Sequence, residues 1–105
     1  MSGRIIVLEE AEDELIEAQK WYDRHRQGLG KEFREAIDEA IQRLVKTPLA
    51  ASPSLNISTS INTRRVIVKR FPYSIIFIEH EDDLWVVAFA HQHRRPGYWR
   101  ERLKA

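Results

Sequence analysis

Two stretches of helical periodicity lie end to end in the first half of the chain, and together they constrain the fold more than any other feature. Ala11, Leu15, Ala18 and Tyr22 recur at steps of four, three and four, which puts them on one face of a helix spanning about residues 9–27. Phe33, Ala36, Ile37, Ala40, Ile41 and Leu44 repeat the pattern until Pro48, and Gly28-Leu29-Gly30 separates the two stretches. Such an αα-hairpin has one apolar face. Each Leu or Ile buried there contributes roughly 1.5–3 kcal/mol, so the hairpin needs a second apolar layer and is not a stable unit alone.

The rest of the chain supplies that layer as strands. Arg4-Ile5-Ile6-Val7-Leu8 is a short run dominated by β-branched residues, and it ends at Glu9, Glu10, Glu12, Asp13 and Glu14. Carboxylates at that point suit the positive end of a helix dipole and read as a solvated surface rather than as acid–base machinery. Residues 49–62 are rich in Ser, Thr, Asn and Pro without a sustained period, and read as a loop. Three strand-like runs follow, Thr63 to Arg70, Ser74 to His80 and Leu84 to His91, with Glu81-Asp82-Asp83 as the turn between the last two. The expected class is therefore α+β, in the order β-α-α-β-β-β, with the helical hairpin packed on a small, mainly antiparallel sheet.

At 105 residues the chain is expected to form one domain, residues 1–105. Hydrophobic residues make up 43% and charged residues 31%, a globular rather than disordered composition. There is no cysteine, so packing rather than disulfides or a thiolate zinc site must hold the domain together. No stretch approaches the ~20 apolar residues of a membrane span, and no secretory leader is apparent. A cytoplasmic protein is expected, for which the glycosylation pattern at Asn56-Ile57-Ser58 has no consequence.

Charge is unevenly placed. Residues 1–62 hold 8 Lys/Arg against 11 Asp/Glu, a net −3, while residues 63–105 hold 9 against 5, a net +4. An anionic partner is expected at the basic end. In the run from Arg64 to Arg70, strand alternation puts Arg65 and Lys69 on one face with Ile67, and Arg64 and Arg70 on the other. Those cations serve either to protect an edge strand or to bind an anion, and the strand alone does not decide.

The ending His91-Gln92-His93-Arg94-Arg95-Pro96-Gly97-Tyr98-Trp99-Arg100 combines cations, imidazoles and aromatics where the last strand stops. Guanidinium forks bind phosphates and aromatic faces stack on bases, which favours binding over a tail that merely packs its rings on the sheet. His91 and His93 share the spacing of one strand face, but no carboxylate or cysteine is fixed nearby. No metal site and no cofactor are expected.

The chain also resembles the RelE/ParE toxin superfamily over nearly its whole length. The resemblance is carried by Ala18-Gln19-Lys20-Trp21-Tyr22, by Gly28-Leu29-Gly30-Lys31-Glu32-Phe33, by Arg70-Phe71-Pro72-Tyr73-Ser74-Ile75, and by Val87-Ala88-Phe89-Ala90-His91 running into Arg94-Arg95-Pro96-Gly97-Tyr98-Trp99. It implies the hairpin-on-sheet fold, growth arrest on release, and a cognate antitoxin that silences the toxin in a hetero-oligomer. RelE-like members cut mRNA on the ribosome; ParE-like members poison DNA gyrase.

RNA cleavage by the neighbouring 2′-hydroxyl needs a base, an acid and cations for the phosphorane charge. His91 or His93 would then move protons, Tyr98 would donate one, and Arg65, Arg94 or Arg95 would stabilise charge. The RNA-cutting branch commonly carries an arginine on the middle strand of the meander, where this chain has Ser74, and Phe71-Pro72-Tyr73 is more ParE-like. The expectation is a non-nucleolytic toxin that contacts gyrase or its DNA complex through Arg64, Arg65, Lys69, Arg70, Arg94, Arg95, Tyr98, Trp99 and Arg100. The alternatives are a RelE-type endoribonuclease and a decayed toxin that keeps only antitoxin binding.

Overall fold

The structure is a computed structural model that describes residues 4–46, the backbone of 52–53, and residues 63–103. Its elements are β1 (Ile5–Val7), α1 (Glu9–His25), α2 (Leu29–Lys46), β2 (Ser52–Pro53), β3 (Arg64–Ile67), β4 (Tyr73–His80), β5 (Asp83–His91) and a C-terminal 3-10 helix (Tyr98–Leu103). The strands form one sheet in the order β1-β5-β4-β3-β2. β1 runs parallel to β5, and every other pairing is antiparallel. The expected α+β architecture is therefore present. The two-residue β2 lies within the stretch read as loop, and the rest of residues 49–62, Asn56 included, falls outside the described residues apart from that pairing.

The periodic positions form the core as their spacing requires. Ala11, Leu15, Ala18 and Tyr22 of α1 and Phe33, Ile37, Ala40 and Leu44 of α2 are all buried, most of them against Val66, Ile75, Val86 and Phe89 of the sheet. Tyr22, Phe33, Phe71 and Tyr73 meet as an aromatic cluster, with centroid separations of 5.0 Å for Tyr22–Phe33 and Phe33–Tyr73 and 5.1 Å for Tyr22–Phe71. α1 ends at His25 rather than near residue 27, and Gly30 lies inside α2 rather than between the helices. Its backbone N–H donates to Asp23 Oδ1 at 2.8 Å. A methyl group on Gly30 would sit 2.6 Å from the Gln19 carbonyl oxygen, so only glycine permits this approach of the two helices.

Two details of the sheet shape its back face and its β1 edge. In the β4–β5 ladder Ile76 faces Ala88 but Phe77 faces Val86, which leaves Val87 as an extra residue. Val86 and Phe89 consequently point to the helices, while Val87 and Ala88 both join a second cluster on the opposite face. The β4–β5 turn is tighter than expected, with Glu81 and Asp82 alone at its tip and both at positive φ, as a two-residue type I′ turn requires. Asp83 belongs to β5 instead, and its carboxylate accepts from the Arg4 backbone N–H at 3.0 Å and the Arg4 guanidinium at 2.9 Å, fastening β1 to the sheet.

The second expected strand, Thr63 to Arg70, is shorter than the sequence implied, and this corrects the placement of two cations. β3 ends at Ile67, after which Val68 and Phe71 turn inward and Arg70 adopts φ 73°. Alternation therefore stops before Lys69. Lys69 lies 3.9 Å from Glu39 and Arg70 2.9 Å from Glu32, so both pair with α2 from beyond the end of the strand that carries Arg65 and Arg64.

Candidate functional site

The helices cover one face of the sheet, and the chain after β5 folds over the other. Trp99, only 2% exposed, packs with Ile76, Val87 and Ala88, and Tyr98 and Leu103 close around them. Trp99 is thus part of the back-face core. Its burial anchors the basic ending, so that Arg94 and Arg95 project from a fixed loop.

A partly buried polar network completes that anchor. Glu14 of α1 accepts hydrogen bonds from the Phe89 backbone N–H at 3.1 Å and from the Tyr98 hydroxyl at 2.5 Å. Both terminal guanidinium nitrogens of Arg102, Nη1 and Nη2, also donate to it at 2.9 Å, and Nη1 reaches the Val87 carbonyl at 3.0 Å. The two charged side chains are 17% and 16% exposed, and the bond to Glu14 raises the Arg102 pKa further. Sequence reasoning missed this pair, having read the acidic start of α1 as a solvated surface. The signal was available: Glu14 stands three residues after Ala11 and four before Ala18, on the apolar stripe itself.

Burial, followed by the bond to Glu14, raises the Tyr98 pKa far above its ordinary value. Its phenolic proton is committed. His91 is shifted the other way, lowered by burial first and by neighbouring His93 second. The His91 Nδ1 accepts from the His93 backbone N–H at 3.0 Å, and its ring meets Tyr73 edge-on at 5.1 Å. Tyr73 is itself raised by burial. The Arg94 guanidinium lies 3.9 Å from the centre of the Tyr98 ring.

Two recesses flank this segment. On the α1 side, a recess of about 570 Å³ is walled by Trp21, Tyr73, Phe89 and Tyr98 and also carries Glu14 and Glu17. On the back face, a smaller one of about 160 Å³ lies between the sheet and the loop, lined by Arg65, Ser74, Ala90, Gln92, Arg94 and Arg95. It exists because Ser74 and Ala90 face each other and leave space above the sheet. Arg65 comes from β3, beside this pair.

Of the residues the sequence singled out, the structure gathers Arg65, His91, Arg94, Arg95 and Tyr98 around these recesses. His93 and Arg100 are exposed on the same segment. Arg64, one residue from Arg65, pairs with Phe77 on the other face of the sheet, and Lys69 and Arg70 are at α2. Among the described residues no group of three or more His, Cys, Asp or Glu could hold a metal ion.

A family model described as "ParE toxin of type II toxin-antitoxin system, parDE" matches residues 5–96, most of the chain and nearly all of its fold. The chain belongs to this ParE toxin family. A solved structure titled "Chromosomal ParDE TA system from P. aeruginosa" is similar in fold, with a TM-score of 0.70 at 12% identity, covering 85% of this chain and 95% of that one. No curated protein matches. Membership also accounts for the marks quoted from the sequence. Tyr22, Phe33, Phe71 and Tyr73, one from each of two marks and two from a third, are the aromatic cluster of this ParE-family chain, and the fourth mark runs along β5 to Trp99. Most of what makes the sequence recognisable is packing. No helix among the described residues is long and apolar enough to cross a membrane.

Proposed function

We propose that this ParE-family chain is a toxin that arrests bacterial growth by binding DNA gyrase rather than by cutting RNA, and that a cognate antitoxin silences it in a hetero-oligomer. The commitment of Tyr98 carries the reading. A general acid must release its proton in the transition state. The Tyr98 hydroxyl instead donates to Glu14 at 2.5 Å, with its pKa raised. Ser74, at the position where RNA-cutting relatives commonly carry an arginine, supports the same side. Arg94 and Arg95, exposed on an anchored loop, supply the contact surface.

The endoribonuclease reading draws its support from the clustering of His91 with Arg65, Arg94 and Arg95. The test is expression from a tightly repressed promoter, following growth, mRNA integrity and gyrase supercoiling in the same cultures. Arrest with intact mRNA and impaired supercoiling is expected. Replacing His91 and His93 by Gln and Tyr98 by Phe should leave toxicity largely intact, with folding checked by circular dichroism. Codon-positioned mRNA cleavage that this triple change abolishes would overturn the proposal. A folded protein that arrests nothing would instead mark a toxin that has decayed to antitoxin binding.

The antitoxin is proposed to cover the helical hairpin and approach the basic ending, using an amphipathic helix or an added strand. Deleting residues 91–105 is not a clean test, because it removes Trp99 from the core and Arg102 from Glu14. Arg94→Gln with Arg95→Gln is the usable variant. Unchanged antitoxin affinity would exclude the basic ending from that interface.

A further inference from the structure

We propose that the back-face recess binds one tetrahedral phosphate group, either as a free anion or as part of a nucleic-acid backbone. The inference deepens the gyrase reading, on which it rests, by naming a chemistry for its basic surface. Three arginines, Arg65, Arg94 and Arg95, line the recess, Arg94 with its guanidinium 3.9 Å from the Tyr98 ring centre, and none of the lining residues is a carboxylate. Six of the other nine arginines differ. Arg4, Arg26, Arg34, Arg43, Arg70 and Arg102 each lie within 4 Å of an Asp or Glu oxygen. No such pair is formed by Arg65, Arg94 or Arg95 among the described residues.

The second observation is the state of Arg65. Its Nε is shut off from solvent and has no hydrogen-bond partner. A buried donor left unsatisfied is unfavourable, and a small turn of the Arg65 side chain toward an acceptor in the recess would satisfy it. Guanidinium presents its donors as a planar fork that matches the oxygens of a phosphate. Ser74 and Gln92 add neutral polar groups at the same place.

Size and charge select the ligand. About 160 Å³ accommodates a phosphate but not a base and sugar together. The larger recess is the poorer match, since there Glu14 and Glu17 stand beside Arg24 and Arg94 and offset their charge. A nucleic acid would therefore present its backbone here and leave its bases outside.

The experiment is a titration of the folded protein with inorganic phosphate, followed by amide chemical shifts at constant ionic strength set with chloride. Saturable shifts are expected for residues 74, 90–95 and 97. Arg65→Gln should weaken binding about tenfold or more, and Arg94→Gln and Arg95→Gln, which alter exposed side chains, should weaken it while leaving the spectrum of the fold unchanged. Short single-stranded and duplex DNA are then added. Competition with phosphate, with affinity falling steeply with salt, identifies a backbone phosphate as the natural ligand; phosphate binding without competition identifies a free anion. Shifts that fail to saturate, or that survive all three substitutions, overturn the site. Toxicity and supercoiling, measured separately, show whether the gyrase reading fails with it.

Discussion

Glu14→Gln is the substitution that probes this fold most sharply. The carboxylate is the acceptor for four donor atoms drawn from β5 and the C-terminal 3-10 helix. The amide keeps the shape but loses the charge, and its NH2 group turns a donor toward Arg102 and toward either the Phe89 N–H or the Tyr98 hydroxyl. Hydrogen bonds to charged groups contribute about 1.5–3 kcal/mol each, but they do not add within one network. Removing one member of a buried pair costs about 3–5 kcal/mol because the other is left uncompensated, and the residual 17% and 16% exposure of this pair lets water soften that penalty. A loss of about 3 kcal/mol is expected. For a chain of this length that is on the order of 12–15 °C in Tm. Urea denaturation at unchanged m-value measures it, and a double-mutant cycle with Arg102→Met should give a coupling of at least ~1 kcal/mol. A single-mutant loss below ~0.5 kcal/mol, or additivity in the cycle, would refute the assignment of the network as the anchor of the basic ending.

Gly30→Ala should destabilise by about 1–3 kcal/mol, read by the same denaturation, because the new methyl meets the Gln19 carbonyl at 2.6 Å. His91 should titrate below the ordinary histidine value of about 6.5 by NMR. Since its folded pKa is depressed, the neutral form stabilises the fold above the unfolded value, and that contribution is lost as pH falls through the folded pKa; His91→Gln should flatten this part of the stability profile. Glu32, lowered first by its bond to Arg70 and then by Arg26, should titrate below the usual carboxylate range, and Arg70→Gln should move it back toward that range without abolishing the effect of Arg26.

The periodic positions of α1 and α2 were legible because helical spacing and apolarity are local properties, and every residue of the α1 stripe is buried as expected. Strand order was legible for the meander, whose hairpin connections are short. The parallel pairing of β1 with β5 depends on contacts 79 residues apart, such as Leu84 with Ile5, which no local pattern encodes. Lys69 and Arg70 were misplaced for a related reason: period-two alternation extrapolates only while a strand continues, and the inward pull of Val68 and Phe71 ends β3 first. The candidate site was half visible. Its cations stand together in the sequence, but Glu14 and Arg102 lie 88 residues apart and meet only through the fold.

The two readings of the basic ending differ in what they demand of that network. For Tyr98 to act as an acid, its hydroxyl must leave Glu14 and face a leaving oxygen, while Arg102 keeps its two bonds to the carboxylate. Breaking that one bond to a charged group costs about 1.5–3 kcal/mol, so between roughly one molecule in 12 and one in 150 is competent at any moment, and substrate binding must supply the difference before any proton moves. Binding through Arg65, Arg94 and Arg95 demands no such change. The loop that presents Arg94 and Arg95 is already held, at Trp99 by burial and at Tyr98 and Arg102 by Glu14, so a partner meets cations whose ordering entropy was spent in folding. An anchor of this kind favours recognition over proton transfer. It also predicts that Glu14→Gln, by loosening the loop, weakens target binding more than the retention of every basic residue would suggest. Equal affinity of the folded Glu14→Gln protein and its parent for the target would show that the loop needs no anchor.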